Sequence, residues 1–221
     1  KDVSTVAHEL GHALHSYYSN TRQPYVTSGY TIFLAEVASI FNESLLIDHV
    51  LRTTIDRDER LSLLGDRLER MRGTLFRQVA FADFELRVHQ MAQRGEPITG
   101  ESLARLYLDV TRDYYGHASG VTIVDDYVAH EWSYVSHLYR EFYVYQYATS
   151  LTAAETLASR VKNGDQRAVD QFLELISAGS SDYPIELLRR AGVDMTTDEP
   201  LETTIQEMEK IMDEVEYLLG S

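Results

Sequence analysis

DRDERLSLLGDRLERMRGTLFRQVAFADFELRVHQMAQ, residues 56–93, is the longest part of the chain with one hydrophobic rhythm. Leu61, Leu64, Leu68, Met71, Leu75, Val79 and Leu86 recur at steps of three, four and seven, which lays a single apolar stripe along an α-helix. The spacing predicts one continuous helix, a rod of roughly 50 Å at ~1.5 Å per residue. The same rhythm continues outward between Pro24, Pro97, Pro184 and Pro200, and strict alternation is rare. Further helices are expected at about 3–19, with Asp2 or Ser4 as N-cap, and at about 31–53 and 100–115. A tyrosine-rich helix is expected over 127–163, and shorter ones at about 165–178, 183–191 and 199–218. NTRQPYVTSGY (20–30) and GHASGVTIVDD (116–126) have loop composition, the second with room for a few extended residues. The expectation is an all-α fold in a single domain, 1–221. No internal repeat, low-complexity tract or domain-sized shift in composition divides the chain.

Composition narrows the function. With 44% hydrophobic and 25% charged residues the chain can bury a core, which argues against disorder. A net charge of −15 disfavours nucleic acid and anionic membrane as partners. No apolar run approaches the ~20 residues that span a bilayer. The absence of cysteine excludes disulfides and Cys-ligated metals, and fits a cytoplasmic location. The acidic run from Asp194 to Glu216 reads as a solvated helix face.

Residues 5–14, TVAHELGHAL, carry the chemistry. His8 and His12 are four apart, so a helix sets both imidazoles on one face where they can hold one metal ion. Glu9 projects beside them, where a carboxylate can take a proton from an activated water. This is the H-E-x-x-H pattern of zinc hydrolases. The flanking residues Thr5, Val6, Leu10, Gly11, Ala13 and Leu14 are uncharged. That suits a helix buried on every side but one. Zn2+ is the expected cofactor, because a histidine and carboxylate set with an open position suits it.

Catalytic zinc takes a third protein ligand. The longer H-E-x-x-H-x-x-G-x-x-H motif fails, with His15 at its glycine position and Tyr18 at its last histidine. His15 itself lies one turn beyond the ion. In IFLAEVASIFNE (32–43), Glu36 and Glu43 are acids on one face of an otherwise apolar helix. A buried carboxylate there requires a metal or a cation. Glu36 is the expected third ligand. Glu43, two turns on, could orient a ligand histidine or turn to solvent.

Six of the 15 tyrosines fall between residues 127 and 147. On a continuous helix Tyr134, His137, Glu141 and Tyr145 would form one stripe, and Tyr139, Tyr143 and Tyr147 another. Such rings can be core. They also supply the phenols and imidazole that stabilise an oxyanion.

AHELGHALHSYYS (7–19), QPYVTSGYTIFLAEVASIFNE (23–43), HLYREFYVYQYATS (137–150) and SAGSSDYPIELLRRAGVDM (177–195) together resemble oligoendopeptidase F. That family belongs with the thimet-oligopeptidase-like zinc metallopeptidases, and the resemblance runs over nearly the whole chain. The step of 24 positions from His12 to Glu36 suits it better than the shorter steps of thermolysin-like enzymes. Those would require an acid near Thr31 or Ile32. The resemblance implies a zincin-like helical catalytic domain, a deep channel and oligopeptide substrates. It also implies oxyanion donors in 137–150, carried here to His137 and Tyr145, with Tyr143 and Tyr147 as substrate contacts. Members of the family have a large helical N-terminal portion that forms the other channel wall. The chain is therefore expected to be the C-terminal catalytic part, completed by an N-terminal portion of the same enzyme.

Two classes of function are compatible with these residues. The first is a zinc metalloendopeptidase acting on oligopeptides, with a zinc exopeptidase as its variant. The second is a non-catalytic helical module that binds basic peptides in an acidic, aromatic groove, against which the intact Glu9 argues.

Overall fold

The computed structural model describes residues 2–220, and among them there is helix and no strand. The α-helices are α1 Asp2–Arg22, α2 Ile32–Thr53, α3 Arg57–Thr74, α4 Phe76–Gln93, α5 Gly100–Tyr114, α6 Tyr145–Lys162, α7 Gln166–Ser177, α8 Pro184–Arg190 and α9 Glu199–Leu219. Tight 3-10 turns occupy Tyr25–Thr27, His117–Ser119, Asp126–Tyr134 and Ser136–Tyr139. The all-α expectation holds. None of these helices is long and apolar enough to cross a membrane. The described chain forms two compact units. One is Lys1–Met71 with Thr149–Ser221, the other Arg72–Ala148.

In the first unit, Leu34, Val37, Ala38 and Phe41 of α2 pack with Ala154 and Leu157 of α6, Phe172 and Ile176 of α7 and Leu188 of α8. The rings of Phe41 and Phe172 stack at 3.8 Å. A smaller cluster joins Leu51, Leu64, Met71 and Ile211. Beside it lies a buried ion network. Arg67 reaches Glu155 at 3.2 Å and Glu207 at 3.6 Å, and Lys162 reaches Glu207 at 3.3 Å. Burial would raise the Glu207 carboxyl. The Lys210 hydrogen bond and the charges of Lys162 and Arg67 outweigh it and hold the group below its ordinary value. In the second unit Ala80, Phe81 and Phe84 of α4 pack with Tyr107 and Val110 of α5 and with Val144.

Two helix expectations are corrected. The rod over 56–93 is interrupted at Leu75, a turn residue at φ −96°, ψ −76° that separates α3 from α4. Gly73 and Thr74, both weak helix formers, precede the break. The phase changes with it. Leu64, Met71 and Leu75 are buried, whereas Val79 and Leu86 are exposed and Ala80, Phe81 and Phe84 turn inward instead. The second correction falls on 127–163, where α-helix begins only at Tyr145. Phe142 has φ +48°, a left-handed backbone that no α-helix can pass through, and its N–H donates to the buried Glu85 Oε1 at 2.8 Å.

A third expectation also changes. Val3, Val6, Leu10, Leu14 and Tyr17 form an exposed stripe on α1. The uncharged flanks of the histidine motif are therefore not all buried within the described residues.

Candidate metal centre

The site in the first unit is made by the approach of α1 to α2. Gly11, between the two motif histidines, makes it possible. A Cβ there would lie 2.5 Å from Ser39 Cα and 2.8 Å from Ala38 O, so only hydrogen fits. Asn42 of α2 donates to the Ala7 carbonyl at 2.6 Å, fixing the two helices along their length. Buried Ser39 donates to the Glu36 carbonyl at 3.1 Å, one turn back on α2.

Three donors converge across this contact. His8 Nε2 is 3.2 Å from His12 Nε2 and 3.5 Å from Glu36 Oε2, and His12 Nε2 is 3.9 Å from Glu36 Oε1. All three residues offer ligand atoms within 4.8 Å of one another, and they are the one such group among the described residues. Ligands at ~2.0–2.1 Å around a tetrahedral ion lie about 3.3 Å apart. The observed separations bracket that value, and two imidazoles with one carboxylate are the donor chemistry that zinc takes. The residues fit the ion. Glu9, next to His8 on α1, is exposed.

Glu43 lies against His8 and does not turn to solvent. Its Oε1 pairs with His8 Nδ1 at 2.6 Å, which leaves the Nε2 lone pair for the centre. Its Oε2 accepts from Ser4 Oγ at 2.7 Å and from Arg70 Nη1 at 2.7 Å. Ser4, expected as a cap, is thus spent on this carboxylate. The Glu43 hydrogen bond, partly opposed by burial, raises the His8 pKa above its ordinary value. Burial works to raise the Glu43 carboxyl, but the His8 and Ser4 hydrogen bonds and the Arg70 charge bring it below its usual range.

His15 is no ligand. It is 1% exposed and its ring stacks on Tyr30 at 3.6 Å, 8° from parallel. Burial, helped by the charge of His12, lowers its pKa to about 4. Neither ring nitrogen has a hydrogen-bond partner.

The remaining expected residues belong to the second unit. The two helical stripes do not exist there, because 126–144 is built of turns. His137 lies in the turn Ser136–Tyr139, with its ring centre 5.5 Å from Tyr143 and 5.9 Å from Tyr147. The two phenols share a hydrogen bond of 2.9 Å. Arg140 lies 5.4 Å from the centre of the Tyr143 ring. Tyr145 opens α6 and is 42% exposed. The structure gathers His137, Tyr143 and Tyr147 into mutual contact. Arg70, Ser4 and Asn42 were not foreseen from the sequence. The signal that could have found Asn42 is its position next to Glu43 on the α2 face that meets α1.

The sequence profile of peptidase family M3 matches residues 1–207. Oligopeptidase PepF of Bacillus subtilis is 45% identical over 99% of this chain and 32% of its own length. Group B oligopeptidase PepB of Streptococcus agalactiae is 39% identical, over 99% of this chain and 36% of its own. The crystal structure of oligoendopeptidase-F from Enterococcus faecium superposes with a TM-score of 0.85 at 37% identity, covering 99% of this chain and 39% of that one. The chain thus spans about a third of the length of the curated relatives it matches. With residues 1–207 of its 221 matched by the profile and its fold shared with an oligoendopeptidase-F structure, the chain belongs to peptidase family M3.

Proposed function

We propose that this chain carries the catalytic centre of a zinc-dependent metalloendopeptidase that hydrolyses oligopeptides. The convergence of His8, His12 and Glu36 donor atoms within 4.8 Å is the observation that supports it. Zinc held by these residues would supply Lewis-acid polarisation and bring the pKa of a water toward neutrality. Glu9 would accept that water's proton as its oxygen attacks the scissile carbonyl, and would return the proton to the leaving amine as the C–N bond breaks. Glu43 would hold His8 in the tautomer that leaves Nε2 free to bind. For the charge that develops on the carbonyl oxygen, the family resemblance nominates His137 and Tyr145 as donors, with Tyr143 and Tyr147 touching substrate. In the same reading the chain is part of a longer peptidase, in keeping with the length of its relatives, and the family resemblance makes it the C-terminal part.

The test is zinc analysis together with mass mapping of products from a peptide blocked at both ends. One equivalent of zinc and internal cleavage that stops on chelation are expected. A chain that binds peptide but binds no zinc and yields no cleavage products would be the non-catalytic module instead. Cleavage restricted to peptides with free ends would make it an exopeptidase.

A further inference from the structure

Arg70 comes from α3, a third helix, yet its guanidinium ends on the carboxylate that holds His8. Each oxygen of Glu43 has a separate partner set. Oε1 takes His8 Nδ1 at 2.6 Å, while Oε2 takes Ser4 Oγ and Arg70 Nη1, each at 2.7 Å. Arg70 Nη1 also donates to Ser4 Oγ, and Nη2 reaches Asp66 Oδ2 at 3.2 Å. The guanidinium plane is thus fixed from both ends.

The terminal torsion of a glutamate is broad and roughly two-fold, so one hydrogen bond on one oxygen does not set the carboxylate plane. Contacts on both oxygens do. We propose that Arg70, with Ser4, is a positioning residue for the metal centre. It holds Glu43 so that Oε1 keeps the His8 ring aimed with Nε2 toward His12 and Glu36. This rests on the zinc reading of those three residues. The Glu43 side chain is 20% exposed and that of Arg70 39%, and ion pairs this open add little to fold stability. Arg70 should therefore matter to the centre more than to unfolding.

The experiment measures zinc affinity by competition with a chromophoric chelator, for the wild-type chain, Arg70→Met and Arg70→Lys. Urea unfolding of each is followed alongside. Loss of a partner that orients a ligand weakens metal binding by about 10–100-fold, and Arg70→Met should lie near the lower end, about tenfold. Arg70→Lys should recover part of that loss, because an ammonium reaches Oε2 but cannot hold Glu43 and Asp66 in one plane. The urea midpoints should stay close to wild type.

A second readout uses metal-free protein at alkaline pH, where the nitrogen shifts of the His8 ring report which nitrogen carries the proton. Wild type should show the proton on Nδ1, and Arg70→Met a mixture of both forms. Equal zinc affinity with an unchanged ring spectrum would overturn the proposal. So would losses in Arg70→Met and Arg70→Lys that only track lower urea midpoints. A wild-type chain that binds no zinc would refute the metal reading itself, and the ring spectrum would then decide the part of Arg70 alone. Should Arg70→Met fail to fold, Arg70→Lys is judged by the same two readouts.

Discussion

The two regions that carry the candidate chemistry hold their side chains by different means. His8, His12 and Glu36 stand on two α-helices whose backbones touch at Gly11 and are tied again at Asn42. His137, Tyr143 and Tyr147 stand on turns and on the start of α6, and hold one another by ring contacts and a shared phenol hydrogen bond. Groups on helices inherit their spacing from backbone packing, whereas groups on turns depend on their neighbours. The first region should therefore tolerate loss of one side chain without rearranging, and the second should not.

The largest expected effect falls in the helix-borne region. Glu9→Gln should lower hydrolysis on the order of 10²–10⁴-fold while zinc content stays at wild-type level, because the amide keeps the shape but cannot accept a proton. Steady-state rates on a metal-replete variant check this. More than a few per cent residual activity would remove Glu9 from the base role. Glu36→Ala should instead lose the metal, since two histidines hold zinc far more weakly than three ligands.

In the turn-borne region Tyr145→Phe should reduce kcat by ~10²–10³-fold with little change in KM, as for one oxyanion donor. A change confined to KM would make Tyr145 a binding or packing residue. Tyr143→Phe removes a partner of the Tyr147 phenol, so it should change both kinetic constants. An effect of Tyr143→Phe on kcat alone would blur the distinction between the regions.

The third test uses His15, which packs beside the helix-borne site. Its pKa is about 4 in the folded chain, against 6.5 for an unperturbed imidazole. Between these limits the unfolded chain binds a proton that the folded chain does not. Stability is therefore lost as pH falls through 6.5, and the loss is complete below 4. At 1.36 kcal/mol per unit this amounts to about 3 kcal/mol. His15→Phe keeps a ring against Tyr30 and should flatten that part of the pH profile in metal-free urea unfolding. An unchanged profile would mean that His15 is protonated or hydrated in the folded state.

Gly11→Ala is the smallest. Overpacking a tight contact costs about 1–3 kcal/mol, and here the added methyl meets backbone, which must move. Zinc affinity should fall with the urea midpoint. If only the midpoint falls, the α1 and α2 contact supports the fold but does not set the donor spacing.

What the sequence revealed follows the same division. The four-residue step from His8 to His12 and the acids in an apolar helix are local patterns. A helix converts them directly into a shared face, so His8, Glu9, His12, Glu36 and Glu43 could be named before any coordinates. The rhythm of 56–93 was legible only as far as Leu75. A break of one residue shifts the phase of everything after it, as the exposure of Val79 and Leu86 shows. The tyrosines misled because steps of three and four place side chains on one face only if the backbone is a continuous α-helix, and nothing local announces the left-handed Phe142. Arg70 lies 27 positions from Glu43. A partner that distant leaves no periodic trace, and neither does the stacking of His15 on Tyr30.

The closeness at Gly11 also bears on which ions the chain can accept. Donors carried by helices whose backbones already touch cannot close further, and the Asn42 tie resists their spreading. Calcium takes six to eight oxygen ligands at about 2.3–2.6 Å, and so requires a wider and more yielding cage. Cobalt, bound by the same kinds of ligand as zinc, requires no such change. The glycine thus acts as a size gauge. Cobalt in excess should compete for the site and calcium should not, and Gly11→Ala should narrow the gap between them.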